Sequence, residues 1–338
     1  MISVVIPAFN SERTIARAIE SVLSQSFTDY EIIVVDDGSG DNTAGIVKGY
    51  GPRVTYIYQE NAGPGAARNT ALSAAKGQWV AFLDSDDEWL PDKLQKQMEL
   101  LDRNPSLQWC STNRYQSDGR RKAAAGNADA IAKALEGRDY FPNYFTAASQ
   151  SKCPIITTTL TVHRQVFEQL GGFDPSLRRG QDIDMWWRIA HYHPQIGYVP
   201  QPLAVRYVDV ENPVTRKHRL EIMDGSFSRE LTARHLAMAE ERGSMNDFKP
   251  FAAKQLRTCL LVVLFYGHKK QARDMVSQFP ELFPWYWRLG TYILTLYPKA
   301  TSTAARAAFY VLDKSGLRGE IGRKPPPEMV KAQKAAAK

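Results

Sequence analysis

Three carboxylates within four residues, Asp84, Asp86 and Asp87, are the side chains of this chain best suited to chemistry. They follow Trp79–Leu83, an apolar run that has the composition of a buried strand. Crowded carboxylates repel one another unless a cation compensates their charge, and hard oxygen ligands favour Mg²⁺ or Mn²⁺. A solvated loop leading into a helix cap is the competing interpretation. Further acidic and Gly-rich loops around the same predicted sheet favour a shared cation site.

A second acidic pair, Asp36 and Asp37, ends the predicted strand Glu31–Val35 and precedes Gly38. One carboxylate at a strand end can accept an N–H from a ligand such as a uracil ring, while the other fixes the turn. An Asx turn ahead of a short helix explains the pair about equally well. These residues alone therefore leave both interpretations open.

The segment Gln59–Asn69 resembles a phosphate-binding loop, because its glycines admit close backbone approach and Arg68 falls in the first turn of the next helix. It is not a dinucleotide fingerprint, since Arg68 stands where the third glycine of G-x-G-x-x-G belongs. It also lacks the Lys-Ser/Thr ending of a P-loop. The segment predicts phosphate contact without assigning a nucleotide class.

A fourth candidate is Asp182, which opens the helical pattern Gln181–Arg188. An acid there can simply complement the helix dipole, and this is the favoured interpretation when the motif is viewed alone. The functional interpretation makes Asp182 a general base. His191 and His193 are two residues apart, which on a helix points them to different faces, so they predict no metal site.

Single helices separate the first predicted strands, and this pattern predicts an α/β fold with a mainly parallel twisted sheet flanked by helices. In such sheets ligands lie at the carboxyl ends of the strands, where these candidates fall. Between Gln116 and Tyr140 the chain is polar and basic, which predicts a loop. From about Leu220 onward the pattern is helical. The strands are predicted at Ser3–Ile6, Glu31–Val35, Val54–Tyr58, Trp79–Leu83 and Leu107–Thr112.

Composition limits the class of protein. The chain has 338 residues, 43% of them hydrophobic, and a net charge of +7, which favours anionic partners. Three cysteines far apart in sequence predict neither a disulfide framework nor a zinc ribbon, and they fit a cytoplasmic protein. The chain opens as a strand without a signal-peptide pattern, and no apolar run reaches the ~20 residues of a membrane span.

Together the motifs resemble those of inverting family 2 glycosyltransferases with the GT-A fold, in order and approximate spacing. The resemblance covers about the first two thirds of the chain. Each motif is common in isolation, whereas the set is specific. The motifs are Ser3–Asn10, Val35–Ser39, Asn61–Asn69, Asp84–Asp87 and Gln181–Arg188.

This resemblance implies roles for individual residues. Asp182 would be the catalytic base, Asp84 and Asp86 would form the D-x-D element, and Asp37 would read uracil. Metal is assigned to Asp86 and Asp87, with the choice between them open. The residues expected to contact the nucleotide are Pro7, Ala8, Phe9, Asp37, Arg68, Asp84 and Ser85.

Two departures from the family pattern stand out. Gln181 replaces the Glu often found before the base, which removes one neighbouring charge. The segment Val205–Asp209 stands where many relatives resemble Y-R-x-H, so a histidine that contacts metal or diphosphate is missing. Whether Asp209 takes its place is an open question at this point.

The implied activity is the transfer of a sugar from a nucleotide diphosphate sugar to a hydroxyl acceptor, with inversion at the anomeric carbon. A UDP-sugar is the expected donor. Mn²⁺ or Mg²⁺ is the implied cofactor, and the acceptor would be a glycan or a lipid-linked glycan of the bacterial cell surface. The alternatives are a sugar-nucleotide nucleotidyltransferase and a non-catalytic carbohydrate-binding protein. Ala8–Ser11 lacks the Gly-rich basic loop of the former. Clustered Asp residues would repel the phosphates of a nucleic acid, so nucleic acid is not an expected partner.

Three regions are expected, with residues 1–215 forming the catalytic domain, 216–322 a helical extension, and 323–338 a disordered basic tail. Aromatic residues within Phe279–Tyr297 either complete a helical core or contact an anionic membrane surface. The second interpretation places the protein peripherally at the inner face of the cell membrane. The basic flanks that favour it are Lys299, Arg306, Arg323 and Lys324.

Overall fold

The structure is a computed structural model that describes residues 1–177, 179–208 and 225–296. A mixed β-sheet forms its centre, and the first half of this sheet consists of four strands in the order β3-β2-β1-β4. All pairings within this block are parallel. The elements are β1 (Ile2–Ala8), α1 (Ile15–Leu23), β2 (Tyr30–Asp37), α2 (Thr43–Lys48), β3 (Thr55–Gln59), α3 (Pro64–Ala74) and β4 (Trp79–Phe82).

The second half of the sheet continues from β4 in the order β9-β6-β10-β5. A 3₁₀ turn, Thr157–Thr159, directly precedes β9. The elements are β5 (Glu88–Trp89), α4 (Lys93–Arg103), β6 (Trp109–Ser117), β7 (Lys122–Ala124), α5 (Ala128–Leu135), β8 (Tyr140–Phe141), α6 (Tyr144–Ser149), β9 (Thr161–His163), α7 (Arg164–Leu170), α8 (Gln181–Tyr192) and β10 (Ile196–Tyr207).

The predicted α/β fold is confirmed, and the sheet combines two parallel blocks. Strand β9 runs antiparallel to both β4 and β6, while β6 and β10 are parallel. The short strand β5 pairs antiparallel with the end of β10. The carboxyl ends of β1 to β4 lie at one edge, and β5 follows from the loop at this edge.

Helix α1 shows why the sequence forms these layers. Its residues Ile15, Ile19 and Val22 are fully buried, as their helical spacing predicts. Every residue of β1 is buried, because helices cover parallel sheets on both faces. Continuous apolar runs therefore specify the central strands, and periodic apolar residues specify the helices that cover them.

The predicted loop between Gln116 and Tyr140 was wrong in part, since this segment contains β7 and α5. Strand β7 pairs antiparallel with the end of β6. Helix α5 is capped by Asn127, whose Oδ1 accepts a 2.9 Å hydrogen bond from the Ala130 amide. Ile131 and Leu135 of this helix are buried. Two apolar residues at i, i+4 anchor a short helix that the polar composition had masked.

The carboxyl-terminal part is helical, with α9 (Ser226–Glu241), α10 (Met245–Phe265), α11 (Lys269–Gln278) and α12 (Trp285–Leu296). The chain divides into two compact units, of which the first comprises Met1–Val210 and Met238–Asp247. The second comprises Glu211–Ala237 and the residues from Phe248 onward. The expected boundary at residue 215 and the expected tail from residue 323 lie outside the described residues and stay predictions.

Within the first unit, Met238–Asp247 packs against α8. The guanidinium of Arg242 lies 3.6 Å from the ring centroid of Tyr192 and donates a hydrogen bond to its hydroxyl. Nδ1 of His191 and Oγ of Ser244 are 2.7 Å apart. No helix in the described part of the chain combines the length and hydropathy that crossing a bilayer requires.

Candidate active site

The candidate residues of the first four strands gather at the carboxyl edge of the sheet, and hydrogen bonds join their loops in series. The hydroxyls of Ser11 and Ser85 lie 2.8 Å apart, which joins the β1 loop to the acidic loop. Oδ1 of Asn10 accepts a 2.8 Å hydrogen bond from the amide of Gly40 in the β2 loop. The loops that carry the predicted motifs therefore form one continuous surface.

Asp37 lies at the end of β2 and organises the loop that follows β3. Its Oδ1 accepts hydrogen bonds from Gln59 Nε2 (2.6 Å) and the Ala62 amide (2.9 Å). Its Oδ2 accepts a 2.8 Å bond from the amide of Gly63. A carboxylate has about four acceptor positions, so the bonds above leave one position on Oδ2 without a donor among the described residues, on a side chain that is only 3% exposed. The neighbouring Asp36 fixes the turn by accepting from the Ser39 amide at 2.9 Å.

The three residues at the end of β1 that are predicted to contact the nucleoside differ in exposure. Pro7 and Ala8 are buried at the end of the strand, whereas Phe9 is 48% exposed. An exposed aromatic ring at the rim of a polar loop cluster offers a stacking surface to a planar base. The ring of Phe9 is therefore accessible to a ligand, whereas Pro7 and Ala8 lie buried at the end of the strand next to it.

The loop after β3 leads into α3 with little room to spare. Gly63 has φ +90°, a conformation that favours glycine, and Pro64 opens the helix. A Cβ at Gly65 would lie 2.9 Å from Cγ of Gln181 in the first turn of α8. Glycine at this position therefore lets α3 and α8 approach closely.

Arg68 and Asp84 form an ion pair that joins α3 to the acidic loop. Nη2 of Arg68 lies 2.8 Å from Oδ1 of Asp84, and the Arg68 side chain is 6% exposed. Its guanidinium also lies 5.5 Å from the ring centroid of Phe173. The sequence assigned both residues to the nucleotide, and the structure shows that they also hold each other.

Asp86 and Asp87 occupy different environments. Asp87 is buried, its Oδ2 accepts a 2.6 Å hydrogen bond from the hydroxyl of Thr158, and its Oδ1 accepts a 3.1 Å bond from the Tyr207 amide. Burial and the charges of Asp86 and Asp84 raise the pKa of Asp87 well above its usual value. Asp87 thus ties the acidic loop to the end of β10 and to the 3₁₀ turn.

Asp86 is exposed, and its backbone carbonyl accepts a 2.5 Å hydrogen bond from Nη2 of Arg17. Incomplete solvation and the charge of Asp84 raise the pKa of its carboxyl, and nearby Arg206 and Arg17 lower it. The Arg17 guanidinium itself stacks 3.8 Å from the ring centroid of Tyr207. Asp86 is therefore the carboxylate of the loop that faces outward and is free to meet a ligand.

The donor set fits a hard divalent cation that completes its coordination with non-protein oxygens. In residues 1–177, 179–208 and 225–296, no group of three or more His, Cys, Asp or Glu side chains is arranged to hold a metal. One or two carboxylates together with substrate phosphates and water are the usual ligands of Mg²⁺ in such sites. The crowded carboxylates leave negative charge that a cation would offset.

Asp182 lies in the first turn of α8, after Gly180. Its Oδ2 accepts a 3.2 Å hydrogen bond from the hydroxyl of Thr157. Gln181 is buried, and its Oε1 has no hydrogen-bond partner among the described residues. The 3₁₀ turn therefore contacts the predicted base through Thr157 and the acidic loop through Thr158.

Side-chain contacts of Arg188 and Trp186 hold helix α8 in place after its first turn. Nε of Arg188 and Oδ2 of Asp184 are 2.8 Å apart, and Arg188 also donates to the carbonyls of Leu170 and Gly172. The ring of Trp186 packs 5.3 Å from that of Phe82 in β4, centroid to centroid. These contacts fix the helix that presents Asp182.

A buried polar network supports the 3₁₀ turn from below. Nζ of Lys93 lies 2.7 Å from Oε1 of Gln97, and Gln97 Nε2 donates a 3.0 Å bond to the carbonyl of Thr159. The indole of Trp89 donates to the carbonyl of Thr158 at 2.8 Å. Burial lowers the pKa of Lys93 to about 7. Sequence patterns indicated none of these supporting residues, although the polar run Thr157–Thr159 is visible in the sequence.

The missing histidine is not resolved by the structure, because Asp209 lies outside the described residues. The arginine of the same segment, Arg206, is described and exposed. It contributes positive charge near Asp86, as noted above. The described end of β10 therefore supplies a cation where the family pattern also has one.

The site thus combines an α/β sheet, an acidic loop at its carboxyl edge and an acid-bearing helix beside that loop. The family model "Glycosyl transferase family 2" matches residues 3–171. The chain belongs to this family, and the predicted resemblance is confirmed. The chain is 34% identical over 193 residues to the putative teichuronic acid biosynthesis glycosyltransferase TuaG of Bacillus subtilis, covering 55% of this chain and 70% of that one.

Solved structures confirm the GT-A type of fold. S. aureus TarS 1-349 in complex with UDP-GlcNAc aligns with a TM-score of 0.57 at 18% identity, over 91% of this chain and 92% of TarS. The mannosyltransferase PcManGT from Pyrobaculum calidifontis, in complex with GDP-Man and Mn²⁺, aligns with a TM-score of 0.57 at 20% identity, over 92% and 86%. At these identities the likeness concerns the fold.

Proposed function

We propose that this family 2 glycosyltransferase moves a sugar from a UDP-sugar to a hydroxyl of a glycan or lipid-linked acceptor, with inversion, in cell-surface polysaccharide or glycolipid synthesis. The observation that carries the proposal is the turn in which Thr157 holds Asp182 and Thr158 holds Asp87. A proton acceptor and the cation-binding loop are thereby connected through adjacent residues. The polysaccharide role in the name of TuaG and the UDP-sugar bound to TarS support the substrate class.

Donor binding would use the chain of loops at the sheet edge. Asp37 accepts the uracil N–H with the remaining lone pair of Oδ2, and Phe9 stacks on the base. Arg68 holds the nucleotide side of the acidic loop through its ion pair with Asp84. In this assignment Pro7, Ala8 and Ser85 border the nucleoside and the phosphates.

Asp86 is the proposed metal ligand, because it is exposed while both oxygens of Asp87 are engaged within the protein. A bound Mn²⁺ or Mg²⁺ supplies Lewis-acid stabilisation of the charge that develops on the leaving diphosphate. Asp87 holds the loop in place for this ligand. The Mn²⁺ in the PcManGT complex supports a divalent ion in this fold.

Asp182 takes the proton of the acceptor hydroxyl as its oxygen attacks the anomeric carbon from the face opposite the diphosphate. The C–O bond to the acceptor forms while the bond to the diphosphate breaks, and one displacement inverts the configuration. A positioned base of this kind contributes ~10²–10⁴-fold in rate. Thr157 orients the carboxylate by its hydrogen bond.

Within this proposal, residues 1–215 form the catalytic domain, and residues 216–322 contact the acceptor or a membrane surface. The test is release of nucleoside diphosphate, UDP from a panel of UDP-sugars and GDP from GDP-mannose, with Mn²⁺, with Mg²⁺ and with chelator. We expect metal-dependent release from at least one UDP-sugar and protection against thermal unfolding by that donor, since ligand at ~100 times its Kd adds about 2.7 kcal/mol. Protection by GDP-mannose alone would reject the UDP assignment.

A further inference from the structure

Helix α12 carries large apolar side chains on its outward side as well as on its inward side, where Trp287 is half-buried. Its buried side carries Thr291 and Thr295, which are 2% and 3% exposed. The hydroxyl of Thr295 accepts a 2.7 Å hydrogen bond from Nε of Arg273 on α11, and the hydroxyl of Thr291 donates to the carbonyl of Trp287. A helix of a soluble unit ordinarily turns such residues outward and buries its apolar stripe.

The outward side of α12 carries six large side chains that are each between 48% and 67% exposed. Their spacing of three and four residues, with two adjacent pairs, places them on one face of the helix. Single exposed apolar residues are common, whereas a continuous stripe marks an interaction surface. The stripe consists of Trp285, Tyr286, Leu289, Tyr292, Ile293 and Leu296.

The sequence around this stripe carries net positive charge. The segment from Lys269 to Leu296 holds four basic side chains, of which Arg288 is on α12 itself, against the two acids Asp274 and Glu281. The guanidinium of Arg273 lies 5.0 Å from the ring centroid of Tyr292 on the stripe. Tyr and Trp rings next to Leu and Ile, with basic residues at the margin, suit the headgroup region of an anionic bilayer.

We propose that the exposed face of α12 binds an anionic lipid surface. A second copy packed on this face by a two-fold axis would bring the same basic side chains together. Residues 297–338 also carry like charge, with nine basic and three acidic side chains. Anionic lipid is the occupant whose charge complements the surface. This surface belongs to the second unit, and its binding does not depend on which sugar is transferred.

The test is flotation of the full chain with vesicles of phosphatidylcholine alone and of phosphatidylcholine with phosphatidylglycerol in equal parts. We expect recovery with the anionic vesicles at low salt and loss at high salt. Combined Trp285→Ser and Leu289→Ser should weaken partitioning at least about tenfold. Combined Tyr58→Ser and Ile183→Ser, which removes exposed side chains of the first unit, should leave it unchanged. Thermal unfolding of each variant reports its folding.

Three results would overturn the proposal. Equal flotation of the parent and the α12 double variant would show that the stripe is not the lipid contact. Equal binding to neutral and anionic vesicles at every salt concentration would show that the face does not select anionic lipid. Conversion of a dimer to a monomer by the α12 substitutions, without vesicle binding by the parent, would assign the face to a contact between copies.

Discussion

The hydroxyl of Thr158 donates a 2.6 Å hydrogen bond to Oδ2 of Asp87, 71 positions away in sequence. Its neighbour Thr157 donates to Asp182 at 3.2 Å. Adjacent residues of one 3₁₀ turn therefore hold the acidic loop and the proposed base. Asp182 is therefore a residue expected to react, whereas Thr157 and Thr158 are residues expected to position the side chains that they contact.

Asp182→Asn should lower kcat by at least ~10²-fold while UDP affinity stays within a few-fold, because the amide keeps the shape and loses the basicity. Transfer rates and UDP titration measure the two effects. Asp129→Asn, which makes the same change in the first turn of α5, is the control and should be neutral. Near-parental transfer by the Asp182 variant would exclude it as the base.

Thr157→Val should lower kcat several-fold with little change in KM for the donor, since it removes the hydrogen bond that orients Asp182. Thr157→Ser keeps the hydroxyl and should restore most of the rate. A purely structural role predicts instead that both variants lose activity in proportion to their loss of folding free energy, which urea unfolding measures alongside the kinetics.

Asp86→Ala should weaken binding of UDP in the presence of Mn²⁺ and leave uridine binding unchanged, because its carboxylate is assigned to the metal. Asp37→Ala should weaken uridine binding with or without Mn²⁺. Calorimetric titration of uridine and UDP against both variants tests this division. Equal loss of uridine affinity in the two variants would contradict it. Asp37→Ala should also destabilise the fold, because it leaves the Ala62 and Gly63 amides unpaired.

Lys93 gives the fold a pH dependence of known sign. Its pKa is lowered by burial from 10.5 to about 7 in the folded state. Between these values the unfolded chain binds more protons, so the free energy of unfolding rises with pH. Relative to Lys93→Met, the parent should gain about 3 kcal/mol between pH 7 and pH 9.5.

Urea unfolding of the parent and of Lys93→Met at several pH values measures this difference. Burial raises the pKa of the nearby Cys110 thiol to about 12, and because both proteins carry this thiol its own pH dependence cancels in the difference. A difference that stays constant over this pH range would show that Lys93 titrates normally. Lys270→Gln, at an exposed lysine, is the control, and its difference from the parent in free energy of unfolding should not change with pH.

Much of the fold could be predicted from local patterns. Apolar runs predicted β1, β2 and β4, and the spacing of Ile15, Ile19 and Val22 predicted the buried face of α1. Motif order predicted the family, because the motifs are short local patterns that can be read from the sequence without knowing the packing. The segment that holds α5 was missed, because a short helix with two buried anchors leaves a weak periodic signal in polar sequence.

The sequence by itself determined which acids follow which strands, because strand, turn and helix signals are local. Only the tertiary structure decided how those acids differ: Asp87 is buried against Thr158 and Tyr207, while Asp86 faces outward. It also decided that six large side chains of α12 are exposed while Thr291 and Thr295 of the same helix are buried. Such distinctions depend on which distant residues pack together, and the spacing of residues along one segment does not encode its partners.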